Sequence, residues 1–260
     1  MTVTACLVLV FGANVYDATF EEAASAYEAG RYAEAVNRYE QLVSESVVDA
    51  AVFYNLANAH YRNGDVPAAI ANYERALQLN PRFRQARQNL DTAVQATQQR
   101  LARPLPADWE QSLLFWHYDL TPRETYYVAA LLWVAFWAVL GIRQWRPLRY
   151  TRRVALGLGL LAAAFGASAW VKAHPAQLAV AARETVPVRY GTGDDETVRF
   201  ELHAGDRVTV DRRANGWARV TTVDGERGWA REESMLFVGP PYEPFVAAAP
   251  AQAAQEAPPT

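Results

Sequence analysis

Two stretches, residues 125–142 (TYYVAALLWVAFWAVLGI) and 154–171 (VALGLGLLAAAFGASAWV), hold no charged side chain, and they constrain the chain more than any other feature. A helix rises about 1.5 Å per residue, so each run is just long enough to cross the hydrocarbon core of a bilayer. Between them, RQWRPLRYTRR carries Arg143, Arg146, Arg149, Arg152 and Arg153 and no acid. Short arginine-rich loops stay in the cytoplasm. The outer ends have mixed charge: Arg123 and Glu124 before the first run, Lys172 and His174 after the second. The pattern predicts a two-pass hairpin, with transmembrane helices at 125–142 and 154–171 and a cytoplasmic loop at 143–153. Both flanking parts then share the extracytoplasmic side. Neither run holds an acidic or basic group, so a transport or proton-relay role finds no support. Small residues recur along the second run at Ala155, Gly159, Ala163 and Ala167, and the first offers Tyr126, Ala130, Trp133 and Trp137 along one side. Small stripes let helices approach closely. The stripe is expected to pack within the hairpin, and docking of another protein's helix is the alternative.

Upstream, the chain repeats itself. Tyr27 and Tyr61, Gly30 and Gly64, Ala35 and Ala69, and Tyr39 and Tyr73 are each offset by 34, the tetratricopeptide period. The second copy, AAVFYNLANAHYRNGDVPAAIANYERALQLNP, resembles the tetratricopeptide-repeat pattern at Leu56, Ala57, Tyr61, Gly64, Ala69, Tyr73, Ala76 and Pro81. Small residues suit close helix crossings, the glycine suits a turn with positive φ, and the proline ends a helix. The first copy is weaker, with Thr19 where a bulky residue is expected. A further helix at about residues 84–101 continues the register and reads as a cap. Repeat arrays usually need about three units. A domain spanning 16–102 is therefore expected to lean on a partner, a second copy or the membrane. Positions matching the concave face of the family pattern make a candidate peptide-binding groove: Tyr27, Tyr54, Asn55, Asn58, Tyr61 and Arg62. Asparagine amides there offer a peptide backbone both donors and acceptors.

Residues 103–124 break the helical period at Pro104, Pro106 and Pro122 and mix Trp109, Phe115, Trp116 and Tyr118 with charge. Such mixtures suit the headgroup level of a bilayer, so the segment reads as an interfacial linker. After residue 178 alternating runs follow: ETVPVRY, VRFEL, DRVTVDRR, WARVTTV and RGWAREE, separated by glycine-containing turns. Val188-Arg189-Tyr190-Gly191, Leu202, Gly205, Val208, Val210, Gly216-Trp217, Val220, Gly225 and Gly228-Trp229 resemble bacterial SH3-like domains over residues 178–238. That resemblance implies a small barrel that binds peptides or cell-wall stems. Tyr190, Trp217 and Trp229 are candidates for an aromatic platform, against the alternative that both tryptophans complete the barrel's own packing. Residues 239–260, rich in proline, alanine and glutamine, read as a disordered tail. Residues 1–15, with the apolar run ACLVLVFGA, read as a signal-like leader. A buried first helix or a misplaced start is the alternative there.

Function classes fall away in turn. A net charge of −3 gives no footprint for nucleic acid. The single cysteine, Cys6, excludes an intrachain disulfide and a cysteine-based metal site. His60, His117, His174 and His203 show no ligand spacing, and Asp194-Asp195 reads as a solvated turn. No phosphate loop or nucleophile motif is present. No cofactor, metal or catalytic residue is expected.

The fold class expected is multidomain: α-helical tetratricopeptide repeats, a two-helix transmembrane hairpin and a small all-β SH3-like barrel. The order of parts resembles the repeat-containing Bat protein family of the bacterial aerotolerance operon. That resemblance implies a non-enzymatic scaffold in the inner membrane, beside membrane proteins with von Willebrand factor A-like domains and a MoxR-type ATPase. The alternative is a cell-wall sensor whose barrel binds peptidoglycan. Membrane lipid is an expected partner in either case.

Overall fold

The structure is a computed structural model that describes residues 17–97, 114–145, 149–175 and 177–245. The expected leader, Trp109 with the first half of the interfacial linker, Arg146, and residues 246–260 of the tail lie outside these residues.

Among the described residues the repeats form five antiparallel helices: α1 (17–28), α2 (Tyr32–Ser44), α3 (Ala50–Arg62), α4 (Val66–Leu79) and α5 (Arg84–Gln95). Gly30 and Gly64, one period apart, end α1 and α3 with φ of 75° and 89°, a conformation glycine adopts without steric cost. Asp49 and Asp65 then cap α3 and α4 by accepting from the amides of Ala51 and Ala68. Ala35, Ala57 and Ala69 are fully buried where helices cross, with Tyr39 and Tyr73 filling the space between.

A charged cluster holds the α3–α4 turn. The His60 side chain is 6% exposed, with Nε2 3.6 Å from Glu40 and Nδ1 3.6 Å from Asp65. Burial opposes its charged form, but Asp65 and Glu40 outweigh burial and hold the imidazole above its ordinary value. Burial works against the Asp65 carboxylate too, yet His60 and the Ala68 amide hold it below its usual range. Linkage fixes the signs. The raised His60 contributes stability that is complete below about pH 6.5 and fades as pH rises through its folded value. The lowered Asp65 contributes stability present above about pH 4 and lost on acidification. Melting temperature should therefore fall as pH rises above neutrality, and His60→Gln should flatten that slope. Parallel pH profiles for the two proteins would contradict this.

A short helix α6 (Phe115–Asp119) leads into α7 (Pro122–Trp145) and α8 (Thr151–Ala173), which form an antiparallel hairpin. Both long helices extend past the predicted spans and are long and apolar enough to cross a membrane. They pack at Ala155, Gly159 and Ala162, and a Cβ added at Gly159 would sit 3.3 Å from the Phe136 ring. The expected stripe is corrected here. Ala163 and Ala167 are exposed, as are Tyr126, Ala130, Trp133 and Trp137, because the packed line follows the helical three-to-four alternation instead of strict four-residue steps. Trp116 of α6 stacks on Phe165 at 5.9 Å, and His117 Nδ1 lies 2.8 Å from Ser168 Oγ. Lys172 Nζ donates to the Leu120 carbonyl (2.7 Å) and to Thr125 Oγ1 (2.8 Å), tying the start of α7 to the end of α8.

Seven strands follow: β1 (Gln177–Ala181), β2 (Thr185–Arg189), β3 (Val198–His203), β4 (Arg207–Ala214), β5 (Trp217–Thr221), β6 (Arg227–Arg231) and β7 (Met235–Val238). They form one antiparallel sheet in the order β3-β2-β6-β5-β4-β1-β7. Pairing runs from β3 to β7 as an open sheet; the expected barrel closure is not part of it. Asn215 and Gly216 take positive φ in the two-residue turn between β4 and β5, as such hairpins require. Ala179, Val186, Val188, Leu202, Val208, Ala218 and Val220 build the core of the sheet.

The sheet does not stand apart from the repeats. β1 is buried on both faces: Ala179 and Ala181 point into the sheet's core, while Leu178 and Val180 join the core of the repeats. Gly205, with φ of 90°, brings the β3–β4 turn so close that a Cβ there would lie 3.0 Å from Ile70 of α4. At the centre, Arg207 Nη1 donates to Glu74 Oε1 at 2.9 Å, with the two side chains 8% and 0% exposed. Arg75 beside it is 2% exposed, and its Nη2 donates to the carbonyls of Phe237 and Glu243 at 2.9 Å each. Its guanidinium also lies 3.9 Å from the centre of the Phe245 ring. Residues 239–245, read from sequence as the start of a disordered tail, are thus packed against α3 and α4. Tyr242 and Phe245 supply apolar surface that the tail's average composition conceals.

Candidate functional site

With α4 covered by the sheet, the open broad face of the array is the one lined by α1, α3 and α5. There the side chains of Tyr27, Asn58, Tyr61, Arg62, Tyr73, Asn89 and Thr92 enclose a cavity of about 140 Å³. Helical spacing aligns Asn58, Tyr61 and Arg62 along α3. Asn58 Oδ1 accepts from the Tyr73 hydroxyl (2.6 Å) and from Asn89 Nδ2 (2.9 Å). Two donors on one oxygen fix the amide and leave its NH₂ group as a donor toward the groove. Arg62 donates to the Tyr32 hydroxyl from Nη2 (3.0 Å) and Nε (3.3 Å), and Tyr32 meets Tyr27 edge to face with centroids 5.4 Å apart. No carboxylate lies within ion-pair distance of Arg62 among the described residues. Burial holds the Tyr27 and Tyr73 hydroxyls above their ordinary values, so both are neutral donors at physiological pH. The groove therefore offers one cation, fixed amides and neutral phenols, a set that reads backbone carbonyls and a carboxylate.

A family model for the tetratricopeptide repeat matches residues 20–82. A photosystem I assembly protein, Ycf3, of Cyanophora paradoxa is 33% identical over 125 residues, which cover 45% of this chain and 72% of that relative. The chain belongs to the tetratricopeptide repeat family. Ycf3 of Synechococcus elongatus is 37% identical over 76 residues, which cover 28% of this chain and 44% of the relative.

Of the six candidate groove residues, the structure brings Tyr27, Asn58, Tyr61 and Arg62 together around this cavity. Tyr54 and Asn55, one turn earlier on α3, are not part of the cavity lining: Tyr54 packs on Phe83 (4.8 Å) and accepts from Asn89 at 3.3 Å, and Asn55 is half-buried. Asn89 and Thr92 were not singled out in the sequence, although they lie one period beyond Asn55 and Asn58. Extending the register once more into α5, instead of treating that helix as a cap, finds both.

The aromatic platform on the sheet does not assemble. Trp217 is 4% exposed, covered by the Arg231 guanidinium at 4.5 Å from its ring centroid. Arg231 is itself held by Asp194. Trp229 is half-buried with Arg219 6.0 Å away, and Arg219 pairs with both oxygens of Asp211. Tyr190 alone is widely exposed, beside Arg199. Arginines compete for the ring faces that a ligand would need. Of the loop arginines, Arg143 is half-buried and Arg149, Arg152 and Arg153 are exposed at the far end of the hairpin.

Proposed function

We propose that this protein is a membrane-anchored scaffold of the bacterial cell envelope whose repeat groove holds an extended segment of another protein. The observation that carries this reading is the asymmetry of the repeats: α4 is covered by the sheet, and the α1–α3–α5 face presents fixed donors with an Arg62 that meets no carboxylate among the described residues. In this reading α7 and α8 cross the inner membrane, with the arginine-rich loop in the cytoplasm. The docking of sheet on repeats supports a common side for the two folded parts, since Glu74 and Arg207 flank the hairpin in sequence. The relatives named as photosystem I assembly proteins support an assembly role toward a membrane complex. The resemblance to the aerotolerance family favours membrane proteins with von Willebrand factor A-like domains as partners. The sheet, with its SH3-like sequence pattern, serves chiefly to brace the repeats. No catalysis is assigned to the chain.

The test is a photocrosslinking amino acid at Tyr61 of the full chain in intact membranes. It should capture a discrete membrane protein, whereas crosslinkers on exposed positions of the sheet should not. Asn58→Ala should reduce capture roughly tenfold, since one anchored hydrogen-bonding amide and its two neighbours are lost. Arg62→Glu should abolish capture by an acidic segment. Capture that survives both substitutions would remove the groove from the account. Retention on purified cell-wall sacculi that requires the sheet but not the groove would favour the sensor alternative.

A further inference from the structure

The far end of the hairpin carries a second cavity, remote from the repeats. It measures about 520 Å³ and lies between the last turns of α7 and the first turn of α8. Val139 and Ile142 form one wall and Tyr150 and Val154 the other, with Arg149 at the mouth. The Arg149 guanidinium lies 5.9 Å from the Tyr150 ring centroid, and among the described residues no carboxylate is within ion-pair distance of it. The sequence explains why: there is no acidic residue anywhere between Glu124 and Glu184. Arg143, Arg152 and Arg153 surround the same end, so an apolar slot opens under uncompensated positive charge.

We propose that this cavity is a binding site for an anionic phospholipid, with an acyl chain in the slot and the headgroup phosphate on Arg149. The proposal rests on the membrane reading given above. A soluble anion uses the arginines but leaves the apolar walls in water. A zwitterionic lipid fills the slot but brings its own cation to the arginine cluster. Only a lipid with net negative charge satisfies both halves. Arginine suits the phosphate because its planar fork donates two parallel hydrogen bonds. Basic pockets between membrane helices on the cytoplasmic side are recognised settings for anionic headgroups.

The experiment uses the full chain in mild detergent, titrated with phosphatidylglycerol or phosphatidylcholine and read by native mass spectrometry. Phosphatidylglycerol should bind about fivefold more tightly, the effect expected of one arginine near a charged headgroup. Arg149→Gln should remove that preference, and Val154→Trp should remove one bound lipid of either kind by filling the slot. Arg123→Gln, at the opposite end of α7, should leave both unchanged. Equal binding of the two lipids, or a preference that survives Arg149→Gln, overturns the proposal. So does displacement of the bound lipid by millimolar inorganic phosphate, which would make the site one for a free anion. Flotation with vesicles separates the two levels of failure. A chain that floats but shows no headgroup preference loses this site and keeps its anchor, whereas a chain that does not float loses both.

Discussion

Glu74→Ala is expected to destabilise the protein by about 3–5 kcal/mol, the range found when one partner of a buried ion pair is removed. Glu74 is fully buried, and its Oε1 takes the Arg207 Nη1 hydrogen bond at 2.9 Å. Without the carboxylate, Arg207 remains enclosed between α4 and the sheet with its charge uncompensated. The pair itself need not be a large net gain, because both ions lost their water on burial. Glu74→Leu combined with Arg207→Leu should therefore recover most of the loss and can exceed the parent. Urea unfolding of the full chain in detergent, followed by circular dichroism, measures all three variants. A single-variant loss below about 1 kcal/mol would mean that the sheet is not docked on α4 as described.

Phe245→Ala should cost about 3 kcal/mol, the lower range for truncating a buried aromatic side chain. A disordered tail would predict no effect, so this substitution separates the two readings of residues 239–245. The Phe245 ring covers the Arg75 guanidinium at 3.9 Å, and Phe53 and Tyr242 approach it at 5.5 and 6.0 Å. Burial pulls Arg75 down to about 10, which still leaves it charged at neutral pH. Its stabilising partners are two backbone carbonyls, the Asn72 side-chain oxygen and a set of ring faces. Removing the nearest ring admits water to a cation that the fold has otherwise dried. The same unfolding measurement reports it, and a variant as stable as the parent would return residues 239–245 to the tail.

What the sequence revealed and what it hid divide along physical lines. The 34-residue period, the helix-ending glycines and the charge-free runs are local signals, and each appears in the structure at the positions that carry it. Four of the six candidate groove residues line one cavity, because position along a helix determines which face a side chain occupies. The union of repeats and sheet was not legible, since it depends on pairings such as Glu74 with Arg207, 133 residues apart. β1 was missed because a two-faced buried strand is a short apolar run without alternation, here directly after a long apolar helix. The tryptophans left platform and packing both open, because ring content does not reveal whether an arginine already covers the ring. Tyr242 and Phe245 were lost in a segment judged by its average.

The sheet that covers α4 is made only after α7 and α8. A ribosome working at about 5–20 residues per second needs on the order of ten seconds to go from Glu74 to Arg207. Through that interval α4 lacks Arg207 beside Glu74 and the apolar cover of the sheet, and the two hydrophobic helices are made before that half arrives. If α7 and α8 cross the membrane as proposed, completion of the joined body would report that both helices have been delivered and turned back. A chain stalled after α7 would present an open, sticky surface that proteases and chaperones can tell apart from the finished product.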